Sequence, residues 1–227
     1  LKIYYDGNNP REYEHSSKGF TTNTSFFSQS GCQDYEKYIS DYLDVARGRP
    51  CSFQIWSDLD EEIVRQSSRI NSMGQNIFVK IPIIKCNGEY NLNAICAVLD
   101  NGINVNVTAV HTEEQIDSVL KILPRTNSVI VSVFAGGVTD CGVDPVPLVR
   151  HAVAQYKPHK NVEVLWAGCQ TNLHIVQARE SGCHIITVPD SIMKKIDRMK
   201  LDIKTASIKK VNKFMEDAIE SIKDKNG

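Results

Sequence analysis

The hydrophobic positions of this chain switch repeatedly between two periods. Short runs rich in β-branched and aromatic residues read as strands over residues 3–5, 19–23, 51–56, 77–82, 103–108, 128–134, 162–167 and 184–188. Between them, apolar residues recur every three or four positions, as on a helix that buries one face. Tyr35, Tyr38, Ile39, Tyr42 and Val45 do so within 34–46, and Gly48 and Pro50 stop that helix. Further helices are predicted from a cap at Ser57 or Asp58, with Glu61 and Glu62 in the first turn, and over 89–100, where Asn101-Gly102 supplies the stop. Others start at Thr112-Glu113-Glu114-Gln115 and cover 145–156 and 172–181. A last one over 205–222 carries Ile208, Val211, Met215, Ala218 and Ile222 as an apolar stripe. Eight strands, nearly all followed by a helix, predict an α/β fold of the (β/α)8 TIM barrel type with an additional C-terminal helix, as one domain over 1–227. An open doubly wound sheet is the alternative. It would place a Gly-rich phosphate turn after the first strand, and Asp6-Gly7-Asn8-Asn9 is not such a turn.

Composition narrows the partners more than the fold. Lysine and arginine number 26 against 27 acidic residues, so no field of one sign recruits nucleic acid or an anionic membrane. No apolar run approaches the roughly 18 residues of a membrane helix. Seven cysteines, at 32, 51, 86, 96, 141, 169 and 183, form no Cys-x-x-Cys pair, which points to reduced thiols in a cytoplasmic protein and away from zinc. A small-molecule substrate is expected.

Lys80 stands out against this background, because it interrupts the apolar strand Ile77-Phe78-Val79-Lys80-Ile81-Pro82. Desolvation disfavours an ammonium group and can leave a buried lysine neutral and nucleophilic toward carbonyl carbon. The competing reading is a lysine that snorkels to water from the strand end. In a parallel barrel, chemistry is done at the C-terminal ends of the strands. The polar residues read off those ends are Asp6, Thr22, Asn23, Gln54, Lys80, Asn106, Thr108, Thr187 and Asp190, with Phe134 and Trp166 beside glycines. An aldol reaction through a Schiff base needs an uncharged amine, a proton shuttle and donors that orient hydroxyls. Lys80, Asp6 with a water on Thr108, and Asn23 with Asn106 are candidates for these parts. Each also has an ordinary explanation, as helix cap, loop ligand or strand residue.

Three ordered stretches resemble the transaldolase family: Gly19-Phe20-Thr21-Thr22-Asn23-Thr24-Ser25, the Lys80 strand, and Gly102-Ile103-Asn104-Val105-Asn106-Val107-Thr108. Ile3-Tyr4-Tyr5-Asp6 matches the family's opening strand. The resemblance implies a barrel of the short kind that includes the fructose-6-phosphate aldolases, with Lys80 as Schiff-base lysine, Asp6 as acid/base and Thr108 as water holder. It implies Asn23, Gln54, Asn106 and Phe134 as substrate-binding residues, no metal or organic cofactor, and a homo-oligomer, pentamer or decamer. Trp166, bulky where the family is small, is expected either to bind substrate by narrowing the pocket or stacking on it, or to be a buried core aromatic. Departures from the family are concentrated elsewhere. Ser132-Val133-Phe134-Ala135-Gly136-Gly137 puts glycine where the family has a phosphate-gripping arginine. Ala167-Gly168-Cys169-Gln170 lacks the serine and the basic residue that follow strand seven. Hydrogen bonds to charged groups are worth roughly 1.5–3 kcal/mol each, so losing both anchors weakens a sugar phosphate by orders of magnitude. Residues of other loops, such as Lys85 after strand four or Lys194 and Lys195 after strand eight, are alternative candidates to hold a phosphate, and each also reads as a solvated surface lysine. Two functions are therefore expected: a Schiff-base enzyme acting on a carbonyl compound other than a typical terminal sugar phosphate, or a non-catalytic barrel serving in binding or assembly.

Overall fold

A computed structural model describes residues 1–124 and 126–223, the last two as backbone only. Its first compact unit, Leu1–Met193, holds eight parallel strands: β1 (Lys2–Asp6), β2 (Phe20–Thr21), β3 (Cys51–Gln54), β4 (Ile77–Pro82), β5 (Val105–Val110), β6 (Val129–Val133), β7 (Val162–Trp166) and β8 (Ile185–Pro189). They pair in sequence order and close through β1 and β8, where Lys2 to Asp6 run beside Ile185 to Pro189. The expected TIM barrel is therefore the fold. Around it lie α1 (Thr24–Gln29), α2 (Tyr35–Ala46), α3 (Asp60–Asn71), α4 (Leu92–Asp100), α5 (Glu113–Leu120), α6 (Ala135–Asp140), α7 (Val146–Tyr156), α8 (Asn172–Glu180) and α9 (Asp190–Met193). The second unit begins at Lys194 and contains α10 (Ile203–Lys223), whose first turn is closed by Asp202 accepting from the Thr205 backbone N–H at 2.9 Å. The predicted apolar stripe lies on this helix, and the side chain of Ile222 is outside the described residues.

Local chemistry accounts for most boundaries. Asp34 caps α2 by accepting from the Glu36 and Lys37 amides, and Arg47 ends it in the left-handed region. Thr112 and Gln115 form a reciprocal capping box on α5. The predicted cap of α3 differs. Leu59 stands at the N-cap, Ser57 accepts from the Leu59 amide, and Asp58 is drawn off to the Cys86 amide at 2.8 Å. The helix expected from residue 89 starts at Leu92, because Tyr90 bridges to Ile84 and Asn91 donates to the Pro82 carbonyl. The short α6 breaks the glycine-rich stretch that the pattern left without structure.

Alternation along each strand divides the side chains. Tyr4, Ile130, Leu165, Ala167 and Ile185 pack together, with Phe78 and Phe134 against them. They share strand parity, so they fill the barrel and leave their neighbours to the helices. Every fully buried aliphatic side chain here contributes roughly 1.5–3 kcal/mol. Above this plug the same inward parity brings polar side chains to the C-terminal mouth. No helix among the described residues is long and apolar enough to cross a membrane.

Candidate active site

Lys80 lies on the inward face of β4, two residues above Phe78, and is only 6% exposed. Its Nζ donates to the Thr22 carbonyl at 3.3 Å. The snorkelling alternative is thereby excluded, since the amine ends inside the barrel. Burial pushes its pKa below the ordinary lysine value, and the attraction of Asp6 opposes that shift. Asp6, on β1, is pushed above the ordinary carboxylate value by burial, against the pull of Lys80 and of the Thr21 hydroxyl. Both shifts favour the same event: a proton leaves the ammonium and the carboxylate side of the site holds it.

Asp6 is fixed by Thr21, whose hydroxyl donates to Oδ1 at 2.6 Å, and Thr21 is itself hydrogen-bonded to Thr187. Asn106 pairs with Lys80 across β4 and β5 and is held at both ends of its amide. Its Nδ2 donates to Ser52 at 3.0 Å, and its Oδ1 accepts from Ser132 at 2.7 Å. Thr108, two residues above Asn106, is buried, yet its Oγ1 has no hydrogen-bonding partner among the described side chains and backbone. A buried hydroxyl without a partner is costly. On the strand next to that of Lys80, it is a seat for a water molecule or a substrate oxygen.

The other predicted residues separate. Gln54 ends β3 half-buried, next to Lys80 in register, and its carbonyl is held by the Tyr35 hydroxyl at 2.9 Å. Asn23 uses its Oδ1 to cap α1, accepting from the Phe26 amide at 2.9 Å, so its Nδ2 is what remains for a ligand. Phe134 packs on the barrel interior and faces the mouth. Trp166 does not: it pairs with Val133 on the outward parity, is fully buried, and packs against His174 of α8 at 5.4 Å. The correction follows from alternation, because inward Leu165 and Ala167 leave Trp166 to the helix layer. Thr21, Ser52 and Ser132 went unread as site residues, although their inward parity with Asp6, Gln54 and Phe134 was a usable signal. Thr187, read off the end of β8, is confirmed on the inward side by its hydrogen bond to Thr21.

Two loops that lack their expected cations touch each other. The Gly136 amide donates to the Ala167 carbonyl at 3.1 Å, and a Cβ placed on Gly136 would lie 2.0 Å from the Gly168 carbonyl oxygen. Gly168 itself has φ of 72°. Backbone thus fills the ground at Gly168, where one of the side-chain anchors was expected. Lys85 is engaged with Asp60 at 2.6 Å. Among the described residues, no cluster of three or more His, Cys, Asp or Glu side chains is arranged to hold a metal ion.

Comparison with known proteins agrees with this geometry. A sequence profile described as "Transaldolase/Fructose-6-phosphate aldolase" matches residues 4–226. The chain belongs to that family. It is similar to a "Probable transaldolase" of Clostridium botulinum (strain Loch Maree / Type A3), 26% identical over 224 residues that cover 96% of each chain. A "Probable transaldolase" of Bdellovibrio bacteriovorus is 29% identical over 200 residues, covering 88% of this chain and 86% of that one. Among solved structures it is similar to a thiamine phosphate pyrophosphorylase from Pyrococcus furiosus, with a TM-score of 0.56 at 10% identity, covering 85% and 87% of the two chains. That likeness speaks for the barrel alone. Family membership makes an aldolase- or transaldolase-type activity the frame for the site.

Proposed function

We propose that the protein makes or breaks a carbon–carbon bond of a hydroxylated carbonyl compound through a Schiff base on Lys80, and that its substrate is not a typical terminal sugar phosphate. The observation that carries this reading is the buried Lys80 amine beside Asp6, with the unpartnered Thr108 hydroxyl on the neighbouring strand. The neutral amine attacks the carbonyl carbon, and the carbinolamine loses water to give an iminium ion. Asp6, through a water on Thr108, supplies the proton that the departing hydroxyl takes. It then removes the proton of the substrate hydroxyl adjacent to the breaking bond. The bond's electron pair moves to the iminium nitrogen, leaving an enamine and releasing an aldehyde. Protonation and hydrolysis of the enamine free a ketone, or its addition to another aldehyde completes a transfer. Asn106, Gln54 and the Asn23 amide orient substrate hydroxyls. All seven cysteines are free, in keeping with action in the cytoplasm, where we expect a homo-oligomer.

The close backbone contact between Gly136 and Gly168 favours a second reading, a barrel that has given up catalysis for a binding or assembly role. Incubation with unphosphorylated and phosphorylated ketoses plus an aldehyde acceptor, followed by mass spectrometry of carbon-skeleton exchange, separates the two. Exchange with unphosphorylated ketoses, lost in Lys80→Met, is the expected result. Exchange that survives in Lys80→Met, or that needs a terminal phosphate, contradicts the first reading.

A further inference from the structure

The β5–β6 ladder slips by one residue just above the site, since Val107 pairs with Val131 but Val110 pairs with Val133. The extra residue is taken up at Ala109, whose φ of 61° lies in the left-handed region. This slip resets the alternation. In a regular strand Val110 would turn inward and His111 outward; here Val110 is fully buried and shares the outward parity of Val133. His111 is turned over the inward side, where its ring lies 5.4 Å from that of Phe134. Its Nε2 sits over Gly137, so close that a Cβ there would come within 2.6 Å of it. The exposed imidazole therefore occupies the rim of the mouth at the position where an arginine was expected.

The tautomer of this ring is set by its other nitrogen. Nδ1 lies 2.8 Å from the Ala109 carbonyl oxygen, which can only accept, so Nδ1 carries the proton. In the neutral ring Nε2 is then an acceptor. An acceptor at the rim pairs with a hydroxyl group.

We propose that His111 is the specificity-determining residue that reads the distal hydroxyl of the substrate through Nε2, so that the substrate class is an unphosphorylated, hydroxyl-terminated ketose. This rests on the Schiff-base reading of Lys80. The bulge at Ala109 and the glycine at 137 act together: one aims the ring, the other leaves room for it.

The experiment measures the ketose concentration that gives half-maximal borohydride trapping on Lys80, for a hydroxyl-terminated ketose and for the same ketose lacking its terminal hydroxyl. His111→Ala should raise that concentration about tenfold for the first and leave the second unchanged. Gly137→Ala, which displaces the flexible ring without touching backbone, should do the same. His111→Gln, which restores an acceptor, should recover part of the loss. An equal change for both ketoses in His111→Ala, or tighter trapping of a terminal phosphate than of the hydroxyl form by the wild type, overturns the assignment while leaving the Schiff base intact. No trapping by the wild type with any ketose overturns the Schiff-base reading and this one with it.

Discussion

The two halves of the barrel mouth are built on opposite plans. On the β3 to β5 side, inward side chains carry the polarity: Lys80, Asn106 and Thr108 are buried, and Asn106 is pinned at both ends, by Ser52 and by Ser132 reaching across from the start of the other half on β6. On the β6 to β7 side, backbone meets backbone at Gly136 and Gly168, and the neighbouring aromatic, Trp166, faces away. The first half holds a group in an unfavourable protonation state and can use that for chemistry. The second half sets what fits next to it. A protein can thus keep a reaction while the part of the site that reads the rest of the substrate is rebuilt.

The largest expected effect lies at the centre of the polar half. Lys80→Met should lower carbon–carbon bond exchange by at least about a thousandfold, measured as product per enzyme per minute, because no other group supplies the nucleophile. It should also change stability against pH. Lys80 titrates below 10.5 in the folded chain, so between its folded and unfolded values the unfolded chain binds more protons and wild-type stability rises with pH. Asp6 titrates above 3.8, so from there up to its folded value the native chain binds more protons and stability falls as pH rises. Urea unfolding from pH 7 to 10 should show the rising slope in the wild type and not in Lys80→Met; parallel curves would remove the burial argument.

Next in size is the packed half. Gly136→Ala forces a methyl against the Gly168 carbonyl, and urea unfolding should show a loss of about 3 kcal/mol. A neutral result would mean that these loops are not in contact. Asn106→Ala leaves both Ser52 and Ser132 without their partner and should cost about 2 kcal/mol in the same measurement. The smallest stability effect is expected at Thr108→Val, within about 0.5 kcal/mol of wild type, because the hydroxyl it removes has no partner to lose. Its turnover should nevertheless fall roughly 100-fold, the lower end of what a positioned proton-transfer path contributes, because the relaying water loses its seat. Unchanged turnover would take Thr108 out of the proton path.

Much of the polar half was legible in the sequence because strand alternation is a strict code. Asp6, Gln54, Lys80, Asn106 and Thr108 could be placed at strand ends, and inward parity then brought them to one mouth. The same code applied one step further would have turned Trp166 outward and Ser52 and Ser132 inward. His111 could not be read that way, since the slip at Ala109 reverses the parity and depends on the pairing of β5 with β6. Asp58 shows a related limit: its side chain fits a helix cap locally, but the Cys86 amide, 28 positions away, takes it. The start of α4 shifted for the same reason, through contacts of Tyr90 and Asn91 that no local pattern carries.

The central claim is that the Lys80 amine forms an imine with a ketone. Sodium borohydride reduction in the presence of an unphosphorylated ketose, with peptide mass spectrometry, tests it most directly. A reduced adduct on Lys80, absent from other lysines and from Lys80→Met, is the predicted result. An adduct that forms on other lysines but leaves Lys80 unmodified would contradict it.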